Sequence, residues 1–451
     1  MSSTQLTGHE DVAAPARGEG YVLVLAVVLQ AAISAGDGLA MVALASRVYQ
    51  GSHASWAVAS VFLAITVPIT ALAPIAGVVL DRFPARPVLV TAAAVEALVA
   101  LVLTTVTGTA ATLGLAAGFG VCAAVLQPGL GAIVPRLART TGVTRANGYL
   151  QAATWGGFTV GPLLAGLLIA AGGSGLAMGG VAVVYALGAV GLAALRLAPA
   201  AATHPGGQQP SGHETTAGDT AAGQNVAGDS VLRQMGAGLR FLRADREAGL
   251  LVTVVGVMVL FANLAVVAEV AFAQGVLKAG PTGYSVLVAS WTAGMLAGTL
   301  AGSRLPRQRL AVATLAATIA TGLGVALAGA APALWAAAAA YGFGGLANGV
   351  EVVATRSFLN HRAPAAISGR VFALYSGVLF GTASLGMAAA GGLLSALNPR
   401  LVLAIAGGGG ALAGAAGWAV YARCKTGPAG DDPAGDEPAA IQPAKARPEG
   451  T

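Results

Sequence analysis

The chain has 451 residues, of which 9% are Asp, Glu, Lys or Arg, where a soluble domain carries about 25%. Hydrophobic residues make up 56% and the mean hydropathy is +0.76, more apolar surface than one aqueous core of this length has to bury, so a water-soluble enzyme is excluded and a bilayer is the expected solvent. The formal charge of +6 does not point to nucleic acid, because the basic residues lie between apolar runs rather than on one face with stacking partners.

Residues 1–20 are polar with the single basic residue Arg17. The apolar run that follows is about 26 residues, too long for the core of a cleaved signal peptide, so the first span is expected to stay in the mature protein. Windows of about 20 apolar residues predict spans near 21–46, 55–80, 88–107, 111–134, 148–171 and 175–195. A second set follows near 249–274, 283–303, 310–329, 333–355, 370–395 and 400–422. The expected fold is all-α and integral to the membrane, with twelve transmembrane helices as two pseudo-repeated six-helix bundles.

Between the bundles, residues 198–230 are rich in Ala, Gly, Thr, Gln and Pro and hold too few large apolar residues to fold alone. Val231, Leu232, Met235, Leu239 and Leu242 then recur at helical spacing among Arg233, Arg240, Arg243 and Arg246, which predicts an amphipathic helix on the membrane surface. The expected organisation is a cytoplasmic segment 1–20, a bundle 21–196, a cytoplasmic linker 197–248, a bundle 249–422 and a disordered cytoplasmic tail 423–451. With the N-terminus inside, all 24 Lys and Arg residues except Arg47, Lys278 and Arg400 fall in inner segments, the asymmetry that orients a multi-pass protein. Both termini are thus expected in the cytoplasm of a bacterium. Trp56 and Trp335 stand at predicted outer span ends, where an aromatic belt forms.

The two halves look like repeats. Arg145, Gly156, Gly161 and Gly166 recur in one register as Arg370, Gly381, Gly386 and Gly391, and Asp81-Arg82-Phe83-Pro84 is echoed by Ser303-Arg304-Leu305-Pro306.

With these features the chain resembles the major facilitator superfamily of secondary transporters. Between its second and third spans that family carries a Gly, an acid and basic residues in fixed order, matched here by Gly77, Asp81, Arg82 and Arg86, with Pro84 and Pro87 as departures. The resemblance implies a cytoplasmic gate in which Asp81, Arg82, Arg86 and Arg370 pair in one conformation and separate in the other. Drug and metabolite antiporters of the family carry a fifth-span glycine pattern, matched here by Gly148, Gly157, Gly161, Pro162, Ala165 and Gly166, with Ala165 the departure. Gly157, Gly161 and Ala165 lie four residues apart, on one helix face where a neighbour can approach closely. The stretches 368–374 and 236–242 look like the drug:proton antiporter branch that includes siderophore exporters and macrolide-type efflux proteins. The fourth span lacks the arginine that many proton antiporters carry there.

No Lys follows a glycine-rich loop, so no nucleotide-binding P-loop is present and energy has to come from an ion gradient. Within the spans lie four carboxylic acids, Asp37, Glu96, Glu269 and Glu351, with no Lys or Arg beside them at depth. A carboxylate anion is costly in that environment, so each is a candidate for proton coupling or for binding a cationic substrate. Asp37 sits between Gly36 and Gly38 somewhat past the midplane. Glu351 precedes Arg356 by five residues, within reach of a surface ion pair. Gln30, Gln127, Asn263 and Asn348 are polar candidates for a cavity lining, and Trp155, Phe158, Phe261, Trp291 and Phe380 are candidates for an aromatic wall.

Cys122 and Cys424 are too few for a disulfide framework or metal site, and none of the five histidines lies in an apolar run. No cofactor, metal or enzymatic cluster is expected; His361 and Asp81 stand alone at the inner face. The expected function is secondary active export, by proton antiport, of lipophilic drugs or secondary metabolites across the cytoplasmic membrane by a monomer, with protons, a lipophilic or cationic small molecule and membrane lipid as partners. The alternatives are uptake of a small nutrient, export of a siderophore alone, and a membrane enzyme or scaffold.

Overall fold

A computed structural model of the chain describes residues 19–52, 54–106, 108–137, 143–194, 231–364 and 367–426. Side-chain surroundings are described for all of these except 19–21, 73–74, 77–78, 81, 127–128, 131–137, 143–148, 231–237, 369 and 426. Residues 197–230 of the expected linker and 427–451 of the expected tail lie outside the described residues, whereas residues 423–426, placed in the disordered tail by the sequence, continue α12; the surroundings of Gly77, Asp81, Gln127 and Gly148 also lie outside.

Every regular element among the described residues is helical. The first half contains α1 (Glu19–Ser52), α2 (Ser55–Arg82), α3 (Ala85–Thr105), α4 (Thr109–Leu137) and α5 (Val143–Ala194). The 14-residue α6 (Val231–Ala244) precedes α7 (Arg246–Ala271), whose end winds into a π-helical turn, Phe272–Val276. Then come α8 (Gly280–Gly302), α9 (Leu310–Ala330), α10 (Leu334–Arg362), α11 (Ser368–Ala396) and α12 (Pro399–Thr426). Only helices can satisfy the backbone of isolated spans in lipid, and the span hydroxyls follow the same rule. Thr154, Thr314, Thr318, Thr321 and Thr355 each donate to the carbonyl four residues back, at 2.8–3.0 Å.

α5 makes two passes. Its helical geometry breaks at Gly172 and at Gly173, whose φ of 75° suits glycine alone at little cost; the sequence-based spans break at the same place. Ten described segments are long and apolar enough to cross a membrane, α5 counting as one of them. With its second pass, and with α10, whose apolar stretch is diluted by Asn348, Glu351 and glycines, the chain crosses twelve times.

The repeat is visible in the packing. A Cβ on Gly161 of α5 would run into the backbone of Ala35 in α1, and one on Gly386 of α11 into the backbone of Leu260 in α7. Five residues on, Gly166 faces Ser285 of α8, and Gly391 faces Trp56 and Ala59 of α2. The same glycine pair thus docks each helix on the first span of its own half and on the second span of the other half.

Described contacts between the halves gather at the end away from most arginines. Gln274 donates to Ser46 at 3.1 Å, Thr66 lies 3.9 Å from the Met387 sulfur, and Thr292 donates to the Phe158 carbonyl at 3.3 Å. That end is closed. Two of the three cations there have a structural task. Arg47 donates to the carbonyls of Leu103 and Val106 at the C-terminus of α3, and Arg400 donates to Gly329 and Ala331 at the C-terminus of α9, both at 2.8 Å. Each supplies donors to carbonyls that have no partner within their helix.

At the arginine-rich end, Arg82, Arg86 and Arg370 are exposed. They make no ion pair or side-chain hydrogen bond among the described residues. Trp56 and Trp335 are both exposed at the closed end.

Candidate substrate and proton site

Asp37 is held at a crowded crossing. A Cβ on Gly36 would lie 3.2 Å from the Tyr185 ring, and one on Gly38 would lie 2.8 Å from Cδ of Pro162. The two glycines therefore let α1 close onto both passes of α5 around the acid. Tyr185, fully buried, donates its hydroxyl to Oδ1 of Asp37 at 2.5 Å and stands 6.0 Å from the Phe119 ring.

Glu96 projects from α3 toward the same place, within electrostatic reach of Asp37. It is 1% exposed and its Oε2 has no hydrogen-bond partner. The two acids line two adjoining cavities. One, about 430 Å³, runs toward the arginine-rich end past Gln30, Ser34, Gln151, Thr154, Trp155 and Phe158. The other, about 210 Å³, runs toward the closed end past Met41, Phe62, Thr66 and Tyr185, and reaches Met387 of the second half. No Lys or Arg is among the described residues lining either cavity.

The lining is fixed from the helices outward. Gln30 donates to Ser34 and to Thr154, both at 3.1 Å, tying α1 to α5 at the cavity wall. The rings of Trp155 and Phe158 stand 6.2 Å apart, tilted by 44°. Gly157, whose Cβ would strike the carbonyl of Ala31, and the fully buried Ala165 complete the close contact. Gly157 and Gly161 of the fifth-span pattern thus hold α5 against α1 beside the acid site, while Gly166 packs on α8. Pro162 is accommodated within the helix, its ring against Gly38.

The other two acids lie in the second half, away from this pair. Glu269 is buried near Tyr284 and Tyr341, and one oxygen of each of the three has no partner. Glu351, 1% exposed, lies within hydrogen-bonding reach of Asn348 and Thr318. Arg356 is exposed and the surface ion pair does not form, because five residues along a helix point the two side chains to different faces.

The expected aromatic wall divides. Trp155 and Phe158 line the larger cavity. Trp291 packs edge-on against Tyr341 at 5.9 Å, Phe261 fills the space above Gly409 of α12, and Phe380 is exposed. Asn263 donates to the carbonyl of Val259 at 2.8 Å. None of these lines the acid cavities. Tyr185, Ser34, Gln151, Thr154 and Met387, which do face them, have no motif. A tyrosine inside an otherwise apolar span was the one available signal for Tyr185, since a buried hydroxyl needs a partner.

The family model described as Major Facilitator Superfamily matches residues 26–381. The chain belongs to that superfamily. It is a multi-pass transporter rather than an enzyme. No curated protein sequence matches it. Among solved structures it is similar to a mutant form of the nucleoside transporter NupG, at 14% identity and a TM-score of 0.67, over 89% of this chain and 100% of that one. NupG itself gives 14% and 0.65 over 89% and 99%. A bacterial homolog of the human lysosomal transporter Spinster, in an inward-facing and unoccupied conformation, gives 15% and 0.56 over 91% and 95%. At these identities the likeness carries the superfamily fold.

Proposed function

We propose that this superfamily member is a proton-coupled exporter of lipophilic cations, working by alternating access in a bacterial cytoplasmic membrane with both termini inside. The observation that supports this reading is the Asp37–Glu96 pair: two carboxylic acids sharing both cavities, partnered by a tyrosine hydroxyl and, among the described residues, by no cation. Such a pair leaves room for one positive charge, which a proton or a substrate cation can supply. Competition between the two couples the movements: substrate enters from the arginine-rich end and displaces the proton, and a proton taken from the opposite side displaces the substrate. Trp155 and Phe158 suit the flat, apolar part of such a ligand.

The resemblance to the drug:proton antiporter branch supports the same direction, and the closed end supports a resting state that faces the cytoplasm. Asp81, Arg82, Arg86 and Arg370 would close that mouth in the other state. Gln30, Ser34, Gln151 and Thr154 on the cavity wall favour a second reading, uptake of a neutral hydrogen-bonding solute. The test is efflux of a lipophilic cationic dye from a pump-deficient bacterial host, with and without a protonophore. The expected result is protonophore-sensitive efflux that is lost in Asp37→Asn and in Glu96→Gln. Efflux equal to the empty-vector control, with label accumulating in oriented vesicles, would favour the second reading.

A further inference from the structure

A groove of about 910 Å³ lies between α6, α7, α11 and α12 at the arginine-rich end, and it shares no lining residue with the acid cavities. One wall is α7, which presents Gly249, Thr253 and Gly256, a stripe of small side chains at helical spacing. The opposite wall is Leu374 and Val378 of α11. The two glycines mark where the walls meet, since a Cβ on Gly249 would run into the Leu242 carbonyl and one on Gly256 would lie 2.8 Å from Cγ1 of Val378, and the slot opens between them at the exposed Thr253. Val257 and Val420, at the groove, are 37% and 45% exposed, so its apolar part opens sideways to the bilayer.

The rim carries the opposite chemistry. Arg243 and Arg246 line it, are exposed, and make no ion pair or hydrogen bond among the described residues. Glu247 also lines the groove, but Arg362 pairs with it at 2.9 Å and with the neighbouring Asp245 at 2.9 Å. Lys425 adds a third cation beside the groove, 5.0 Å from the ring centre of Tyr421, a buried lining residue. A cationic rim above an aliphatic, laterally open slot matches a molecule with an anionic head and hydrocarbon tails. A cationic substrate would be repelled there.

We propose that this groove binds one anionic phospholipid of the surrounding bilayer, its phosphate against Arg243 and Arg246 and an acyl chain beside the exposed Thr253 and Val257. The bound lipid would pin α6, the helix that leads from the linker into the second half, against α7 and α12. The inference rests on the membrane fold and does not depend on the direction of transport or the substrate.

Native mass spectrometry of the detergent-solubilised full chain, with phosphatidylglycerol or phosphatidylcholine added, tests it. The parent is expected to retain one phosphatidylglycerol in preference to phosphatidylcholine. Arg243→Gln with Arg246→Gln should weaken that retention about tenfold or more and leave phosphatidylcholine unaffected. Thr253→Trp, which fills the slot from an exposed position, should reduce retention of both lipids. Equal retention of the two lipids by the parent overturns the proposal, as does a double arginine variant that binds like the parent. Thermal unfolding confirms that each variant is folded. If the arginine variant does not fold, undiminished phosphatidylglycerol on Thr253→Trp overturns the proposal by itself.

Discussion

At Asp37, one side chain carries both the chemistry and the constraint. Its oxygen accepts from Tyr185 at 2.5 Å, and Gly36 and Gly38 leave no room for a bulkier neighbour on either side. Removing the hydroxyl in Tyr185→Phe leaves the carboxyl without its donor, a loss of about 1–3 kcal/mol for a buried partner. The expected outcome is a change of about tenfold in the apparent KM for a cationic dye, with energised efflux retained. Asp37→Asn keeps the size and removes the charge, and is expected to abolish energised efflux. Initial efflux rates at several dye concentrations separate the two effects, and a Tyr185→Phe variant with the parent's KM would show that Tyr185 does not hold the carboxyl. Arg400 offers a different kind of residue-scale check. It donates to two carbonyls at the end of α9 and lies over the Phe272 ring at 5.3 Å. Arg400→Gln is expected to cost about 1–3 kcal/mol through the carbonyls left unpaired, read as a lower unfolding temperature, with substrate affinity unchanged.

Helix contacts in this chain are set by backbone approach, so glycines predict which substitutions an element tolerates. Gly156 and Gly161 belong to one helix and differ sharply: nothing lies within 4 Å of a Cβ on Gly156, while one on Gly161 would meet the backbone of Ala35. Gly161→Ala is therefore expected to destabilise by about 1–3 kcal/mol, the usual cost of overpacking, and Gly156→Ala to stay within about 0.5 kcal/mol. Thermal unfolding in detergent compares them, and equal shifts would contradict the close contact of α1 with α5. The span positions and the break between the two passes of α5 were legible in the sequence, because in lipid a run of apolar residues has one structural solution, and the helix of α6 was legible in its spacing. Of the glycine repeat, Gly161 and Gly386 were legible for the reason that they pack, since only a missing Cβ lets backbones touch, whereas Gly156 and Gly381 repeat without a neighbour. Which acids meet was not legible. Glu96 and Asp37 come from α3 and α1, and no spacing along the chain records that both turn toward Tyr185. Trp291 and Phe261 read as a ligand wall by composition, yet they fill space beside Gly344 and Gly409. A large ring beside a glycine packs as well against a helix as against a ligand.

For the molecule to move substrate, the halves have to part where they now touch, and the repeat makes that interface nearly symmetric. Gly166 meets α8 and Gly391 meets α2 at the closed end, so two helix pairs related by the repeat form two hinged edges of one seam. Small residues on both edges let the halves close without interlocking side chains, and such contacts separate at modest cost because few atoms lose their neighbours. Rocking of one bundle against the other would open this seam while closing the arginine-rich mouth. A cross-link across the seam should then trap one state. A Cβ on Gly391 would lie 3.2 Å from Cβ of Ala59, slightly inside the usual 3.5–4.5 Å of a disulfide, so Ala59→Cys with Gly391→Cys is expected to cross-link under mild oxidation after Cys122 and Cys424 are replaced by Ala. Oxidation should stop transport of a dye without preventing its binding from the arginine-rich end, and reductant should restore transport. Cross-linking that leaves transport at the parent's rate would mean that α2 and α11 never separate at this end, and the seam would be a fixed joint between the halves rather than a gate.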